Sequence, residues 1–102
     1  VIVLSTPVYF YTMAAQLKAL IDRSVMVYPR IKEKTFYFLM AMADDDETMF
    51  KGTIEALQGF VTCCEGSTVA GMVCAKEVYE YGAIDKTNYL VEAQTLGESI
   101  VR

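Results

Sequence analysis

Three short apolar runs set the frame of this chain: Val1–Leu4, Thr35–Ala43 and Thr68–Ala75. Each is short and almost free of polar interruption, the pattern of a strand buried on both faces of a parallel sheet. The stretches that follow them carry apolar residues at helical spacing. The alternation reads β-α-β-α-β-α, an α/β fold whose parallel sheet is doubly wound, with helices on both faces and right-handed crossovers. Open sheets of this kind hold ligands in the loops at the carboxyl ends of their strands. Function is therefore sought in the three loops that follow the three runs.

The first of these, Ser5–Thr12, is expected to open where Pro7 ends the strand. It offers backbone N–H groups and the rings of Tyr9, Phe10 and Tyr11, with no acid, base or metal ligand. A flat cofactor with a polar edge suits that combination. The amides after Pro7 could then donate to a flavin's carbonyl oxygens while a ring shields one face. The alternative is that the aromatics only cover the end of the sheet, and the residues alone leave both readings open. A helix follows from Met13 to about Val25, with Thr12 as N-cap and Met13, Leu17, Leu20 and Ile21 facing inward. Lys18, Asp22 and Arg23 read as a solvated or subunit-facing ion cluster.

Tyr28-Pro29-Arg30 breaks this helix, and Lys32-Glu33-Lys34 turns the chain into the second run. Asp44-Asp45-Asp46-Glu47 closes that run. Four consecutive carboxylates could suggest magnesium, but acids at a helix start are favoured by the unpaired N–H groups and the dipole, so capping is the reading adopted. The second helix starts near Asp46, with Phe50, Ile54, Leu57, Val61 and Cys64 as its core stripe. Gly52 and Gly59 each weaken it by roughly 1 kcal/mol relative to alanine, which suggests close packing on the sheet. Gly66 and Ser67 end it. After the third run, the loop Lys76–Ile84 carries Tyr79, Tyr81 and Gly82. Asp85 or Thr87 then caps a last helix, with Tyr89, Leu90, Ala93, Leu96, Ile100 and Val101 inward.

Composition removes several classes of function. At 102 residues and 54% hydrophobic, the chain has the core of one small domain. Thirteen acidic against nine basic residues give a net charge of −4 with no Lys/Arg cluster, which argues against charge-driven binding to nucleic acid or an anionic membrane. No apolar run approaches the ~20 residues of a membrane span. There is no histidine, so His-based triads and most zinc sites are out of reach. Cys63, Cys64 and Cys74 form no C-x-x-C spacing and read as reduced thiols of a cytoplasmic protein. Cys63 and Cys64 are expected to be a helix-end pair, one buried and one not.

Thr6-Pro7-Val8-Tyr9-Phe10, followed by Gln16-Leu17-Lys18-Ala19-Leu20-Ile21-Asp22-Arg23, resembles the NADPH-dependent FMN reductase family, nearest to its iron–sulfur flavoprotein-like members. The Phe36–Asp46 stretch and the Gly82-Ala83-Ile84 turn agree with later elements of that family. The resemblance implies a flavodoxin-like sheet of strand order 2-1-3-4-5, of which this chain supplies strands 3, 4 and 5. It implies FMN held by Thr6, Pro7, Val8, Tyr9, Phe10 and Tyr11, through backbone and ring contacts. Tyr79 and Gly82, on the third loop at the same edge, complete the expected contacts. Thr12 stands where many members have asparagine, and Asp44-Asp45-Asp46 where they often have glycines.

The implied activity is hydride uptake from NADH or NADPH by FMN, with electrons passed to a flavin, a quinone or another acceptor. The resemblance also implies a homodimer or homotetramer. The alternatives are a non-enzymatic electron carrier and a flavin-free interaction domain. Family members begin with a strand, a phosphate loop and further strand–helix units that have no counterpart here. The chain is thus expected to be the C-terminal part of one FMN-binding domain, lacking on the order of 70 residues. Any iron–sulfur cluster would belong to that missing part. With its first strand open on one side, the chain by itself is expected to be poorly stable or to associate through that edge.

Overall fold

The structure, a computed structural model, describes residues 1–101. The first apolar run becomes strand β1 (Ile2–Tyr9), which folds back on a two-residue strand, β2 (Thr12–Met13). Helix α1 (Ala15–Arg23), strand β3 (Thr35–Ala41), helix α2 (Lys51–Cys63), strand β4 (Thr68–Ala75) and helix α3 (Tyr89–Ile100) follow. The sheet runs β2-β1-β3-β4. β1 pairs parallel to β3, with Leu4 beside Phe38 and Thr6 beside Met40. β3 pairs parallel to β4, with a register shift between Phe36 and Tyr37. Only the β1–β2 hairpin is antiparallel. Three parallel strands in consecutive order, joined through helices, are compatible with the flavodoxin-like sheet.

The period-2 alternation of the strands sorts the core. Leu4 on β1 and Phe36, Phe38 and Met40 on β3 point to one face, where Leu17 and Ile21 of α1 and Leu57 and Val61 of α2 meet them. Phe36 and Phe38 have no exposed surface, and the Phe36 ring sets its edge on Phe60, with centroids 6.1 Å apart at 83°. A T-shaped pair of this kind adds about 0.5–1.5 kcal/mol beyond burial. The opposite face is covered by α3, mainly over β4. Gly71 permits that approach: a Cβ there would lie 2.8 Å from the Leu96 Cδ1 and 3.4 Å from the Tyr37 ring. Between α3 and β1 the same face keeps an apolar groove of about 340 Å³, lined by Ser5, Pro7, Leu39, Ala41, Tyr89 and Leu90 among others.

Several expectations change. β1 does not stop at Pro7 but runs to Tyr9. From Ile2 to Pro7 it pairs only with β3 among the described residues, and an edge position is where a strand tolerates proline. Nor is β1 buried on both faces: Val1 and Val3 are exposed, because no described helix lies over them. Thr12 belongs to β2, and α1 is capped by Ala14 without a side-chain bond. Leu20 is 64% exposed, since it lies about 100° round the helix from Ile21 and off the stripe. Leu90 and Val101 are likewise exposed. A helix lying over the sheet edge needs only the narrow stripe of Tyr89, Ala93, Leu96 and Ile100. Asn88, not Asp85 or Thr87, is its N-cap, although the Thr87 hydroxyl accepts from the Tyr89 N–H at 3.3 Å. A Cβ at Gly59 would meet nothing within 4 Å, so no close packing explains that glycine.

The acidic segment behaves as read. The Asp46 carboxylate accepts from the Thr48 N–H at 2.9 Å and the Thr48 hydroxyl at 2.7 Å, starting a 3-10 turn (Glu47–Phe50) that runs into α2. No group of three or more His, Cys, Asp or Glu residues suited to a metal occurs among the described residues. Cys64 is buried and Cys63 exposed.

Candidate functional site

The carboxyl ends of β1 and β3 and the loop after β4 enclose a depression of about 410 Å³, within the usual range for a small-molecule site. Its walls are Pro7, Val8 and Tyr9 from β1, Ala41, Met42 and Ala43 from β3, and Val78 and Tyr79 from the third loop. A smaller hollow of about 220 Å³ shares Val8, Met42 and Ala43 and adds Phe10, Tyr11, Asp44 and Met49. The two adjoin along Val8, Met42 and Ala43.

The hairpin tip holds two of the residues other than glycine that take positive φ, the others being Glu33 and Glu77. Tyr9 pairs with Thr12 and Val8 with Met13, leaving Phe10 and Tyr11 as the two central residues of the turn. Both have positive φ, 48° and 70°, as a type I′ hairpin turn demands. Such turns normally use Asn-Gly, because a side chain in the left-handed region costs roughly 1–2 kcal/mol per residue. Here two aromatics occupy the positions, and the Phe10 side chain is 97% exposed. Strain of this kind persists only where the surroundings hold it, and it gathers at functional sites. One support is visible under the tip. Gly52, in the first turn of α2, brings the helix so close that a Cβ would lie 2.5 Å from the Tyr11 carbonyl oxygen.

The third loop is fixed by main-chain bonds instead. The Val78 N–H donates to the Met42 carbonyl at 3.1 Å, and the Glu77 N–H to the Asp44 carbonyl at 3.0 Å. Lys76 reaches back to Glu47 at 3.2 Å, and the hydrogen bond and charge of that carboxylate raise the lysine's pKa. Beyond Tyr79 the chain turns at Gly82, whose φ of 76° caps the 3-10 turn Ala83–Lys86.

Of the residues expected to hold a cofactor, Pro7, Val8, Tyr9 and Tyr79 meet in the larger depression. Phe10 and Tyr11 wall the smaller one. The Thr6 side chain is 3% exposed and already hydrogen-bonded inside the protein. Gly82 lies along the chain beyond the lining and shapes the loop, not the wall. The residues of the larger depression that sequence reasoning missed are Val78 on the third loop and Ala41, Met42 and Ala43 at the end of β3. The signal for the last three was present: they end a parallel strand at the same edge as the aromatic loop.

The donor set matches a flat ring system. The walls are apolar, aromatic faces stand exposed at the rim, and the only titratable side chains lining the larger depression are phenols. Comparison with known families bears on the general chemistry. The model of the NADPH-dependent FMN reductase family matches residues 1–73. The chain belongs to this family. No curated protein matches it. Membership brings flavin-dependent oxidoreductase chemistry with NADPH as reductant. The match spans the hairpin, α1, β3 and α2, and ends before the loop that carries Tyr79 and Gly82. No helix among the described residues is long and apolar enough to cross a membrane.

Proposed function

We propose that this FMN reductase-family chain binds the isoalloxazine ring of FMN in the depression at the hairpin and serves an NAD(P)H-dependent oxidoreductase whose acceptor is a flavin, a quinone or a similar planar molecule. One observation carries the reading: a family member places two aromatic residues at positive φ on a hollow that adjoins a site-sized depression walled by Tyr9 and Tyr79. When bound, FMN supplies the two-electron chemistry. The chain's own part is to bind and orient. Pro7, Val8, Ala41 and Ala43 would line the ring's site together with Tyr9 and Tyr79. Phe10 and Tyr11 screen the tip, Thr6 contributes through its backbone, and Gly82 turns the third loop toward the ring. The same reading makes the working protein a cytoplasmic homodimer or homotetramer.

Flavin fluorescence titration of the apoprotein, with NADPH oxidation followed optically, tests this. FMN should bind, and Tyr9→Ala or Phe10→Ala should each weaken it about tenfold with the fold preserved by circular dichroism. Pro7→Gly should weaken it further, because it loosens the backbone at the hairpin's base. Unchanged affinity in all three folded variants would reduce the hairpin to a cover over the sheet end.

A further inference from the structure

The two legs of the hairpin are joined by a bond that does not belong to the ladder. Continuing the register Val8↔Met13 and Tyr9↔Thr12 by one step sets Pro7 opposite Ala14. A regular antiparallel pair alternates bonded and non-bonded steps, so this step would exchange two N–H···O=C bonds. Proline has no N–H to give. The Ala14 N–H instead donates to the Thr6 Oγ1 at 2.9 Å, and the same hydroxyl donates to the Pro7 carbonyl at 2.7 Å. One buried hydroxyl thus replaces a ladder rung, shielded from water that would compete for it. Ala14 also starts α1, its carbonyl accepting from the Leu17 and Lys18 N–H groups at 3.1 and 3.2 Å. The hydroxyl therefore ties three things together: the end of β1, the returning leg and the first turn of the helix. Above it stand the two positive-φ aromatics, which nothing in their own conformational preference would keep in place.

We infer that Thr6 is a positioning residue: its hydroxyl locks the strained hairpin in its ring-accepting shape before any flavin arrives. This rests on the flavin reading above. Binding to a preformed loop avoids the cost of ordering it, so loss of the lock should weaken binding although Thr6 presents no side chain to the ligand.

Thr6→Val removes the hydroxyl at constant shape, Thr6→Ala is a second hydroxyl-free variant, and Thr6→Ser restores the hydroxyl without the methyl. In the flavin-free protein, amide exchange at Ala14 should speed up at least about tenfold in the hydroxyl-free variants while the Phe36 and Phe38 amides keep their protection. FMN affinity should fall about tenfold in the same variants and stay within about twofold of the parent in Thr6→Ser. Equal weakening in serine and valine variants would assign the effect to packing and overturn the inference, as would parental Ala14 protection in a folded hydroxyl-free variant. A parent that binds no FMN sinks the flavin reading alone, since Ala14 exchange still decides whether the hydroxyl locks the hairpin.

Discussion

The hairpin tip and the loop after β4 present the same kind of residue to the same edge of the sheet, and they hold it by opposite means. At the tip, aromatic residues themselves take the left-handed backbone, braced at the hairpin's base by Thr6 and beneath the tip by Gly52. In the later loop Gly82 takes the left-handed turn before the 3-10 segment and Glu77 takes positive φ at the loop's start, while Tyr79 and Tyr81 stand out from a chain stitched by main-chain bonds at Glu77 and Val78. The difference teaches that exposure alone does not mark a site. Tyr81 is fully exposed, more so than Tyr9, yet Tyr9 adjoins two aromatic residues held at positive φ, whereas the residue at positive φ beside Tyr81 is a glycine. Constraint is the better sign of a surface that must be presented in one way.

The largest effect should come from removing the room beneath the tip. Gly52→Ala forces a Cβ into the Tyr11 carbonyl, with backbone on both sides and little freedom to yield. FMN affinity should drop on the order of a hundredfold, since small misplacements at a binding site are costly, with a stability loss of about 1–3 kcal/mol. Gly59→Ala is the matched control in the same helix. It meets open space and should stabilise by about 0.5–1 kcal/mol in chemical denaturation. If both variants bind FMN like the parent, the tip is not held by close approach and the contrast collapses.

The rings themselves come next. Tyr9→Ala should weaken FMN about tenfold, Tyr79→Ala about three- to fivefold, and Tyr81→Ala by less than about twofold, all read by fluorescence titration. A ranking with Tyr81 first would move the site onto the outer loop. Gly82→Ala should cost about 1–2 kcal/mol of stability because its φ is positive, with little change in FMN affinity. A large loss of affinity there would bring the later loop up to the rank of the hairpin.

The smallest effect concerns the acidic segment beside the rim. Hydrogen bonds from the Thr48 hydroxyl and then the Thr48 N–H hold the Asp46 carboxyl below its ordinary value of 3.8. The folded pKa is the lower one, so the contribution is whole above about pH 3.8 and is lost as the pH falls through the depressed value. Asp46→Ala should therefore lower the melting temperature at neutral pH, and the gap to the parent should close in acid. A gap that persists at low pH would mean that the carboxylate's charge is not what starts the helix.

Much of the scaffold was legible in the residues. Thr35–Ala43 and Thr68–Ala75 read as strands because continuous apolar runs of that length have few other homes, and the Phe50, Leu57, Val61 and Cys64 stripe announced α2. Asp46 declared its capping role by position. The hairpin was hidden, for physical reasons. Pro7 is usually a strand terminator, but here it lies where β1 pairs with β3 on one side, and the Thr6 hydroxyl bridges the step to Ala14 that the proline interrupts. Phe10-Tyr11 carries none of the Asn-Gly chemistry that flags a two-residue turn, because here tertiary support overrides local preference. The family resemblance implied a backbone contact at Thr6 and said nothing of its side chain; only the fold shows its hydroxyl turned inward.

The left-handed aromatic pair also bears on how this protein should be engineered. A campaign for thermostability would reach Phe10 and Tyr11 early, rewriting them as Asn-Gly to relieve the unfavourable backbone. That change would raise the melting temperature and remove two rings from the rim in the same step, trading activity for robustness where natural sequences often keep the opposite balance. Stabilising substitutions are better placed elsewhere, and a library screened only for heat resistance would erase the feature that marks the site.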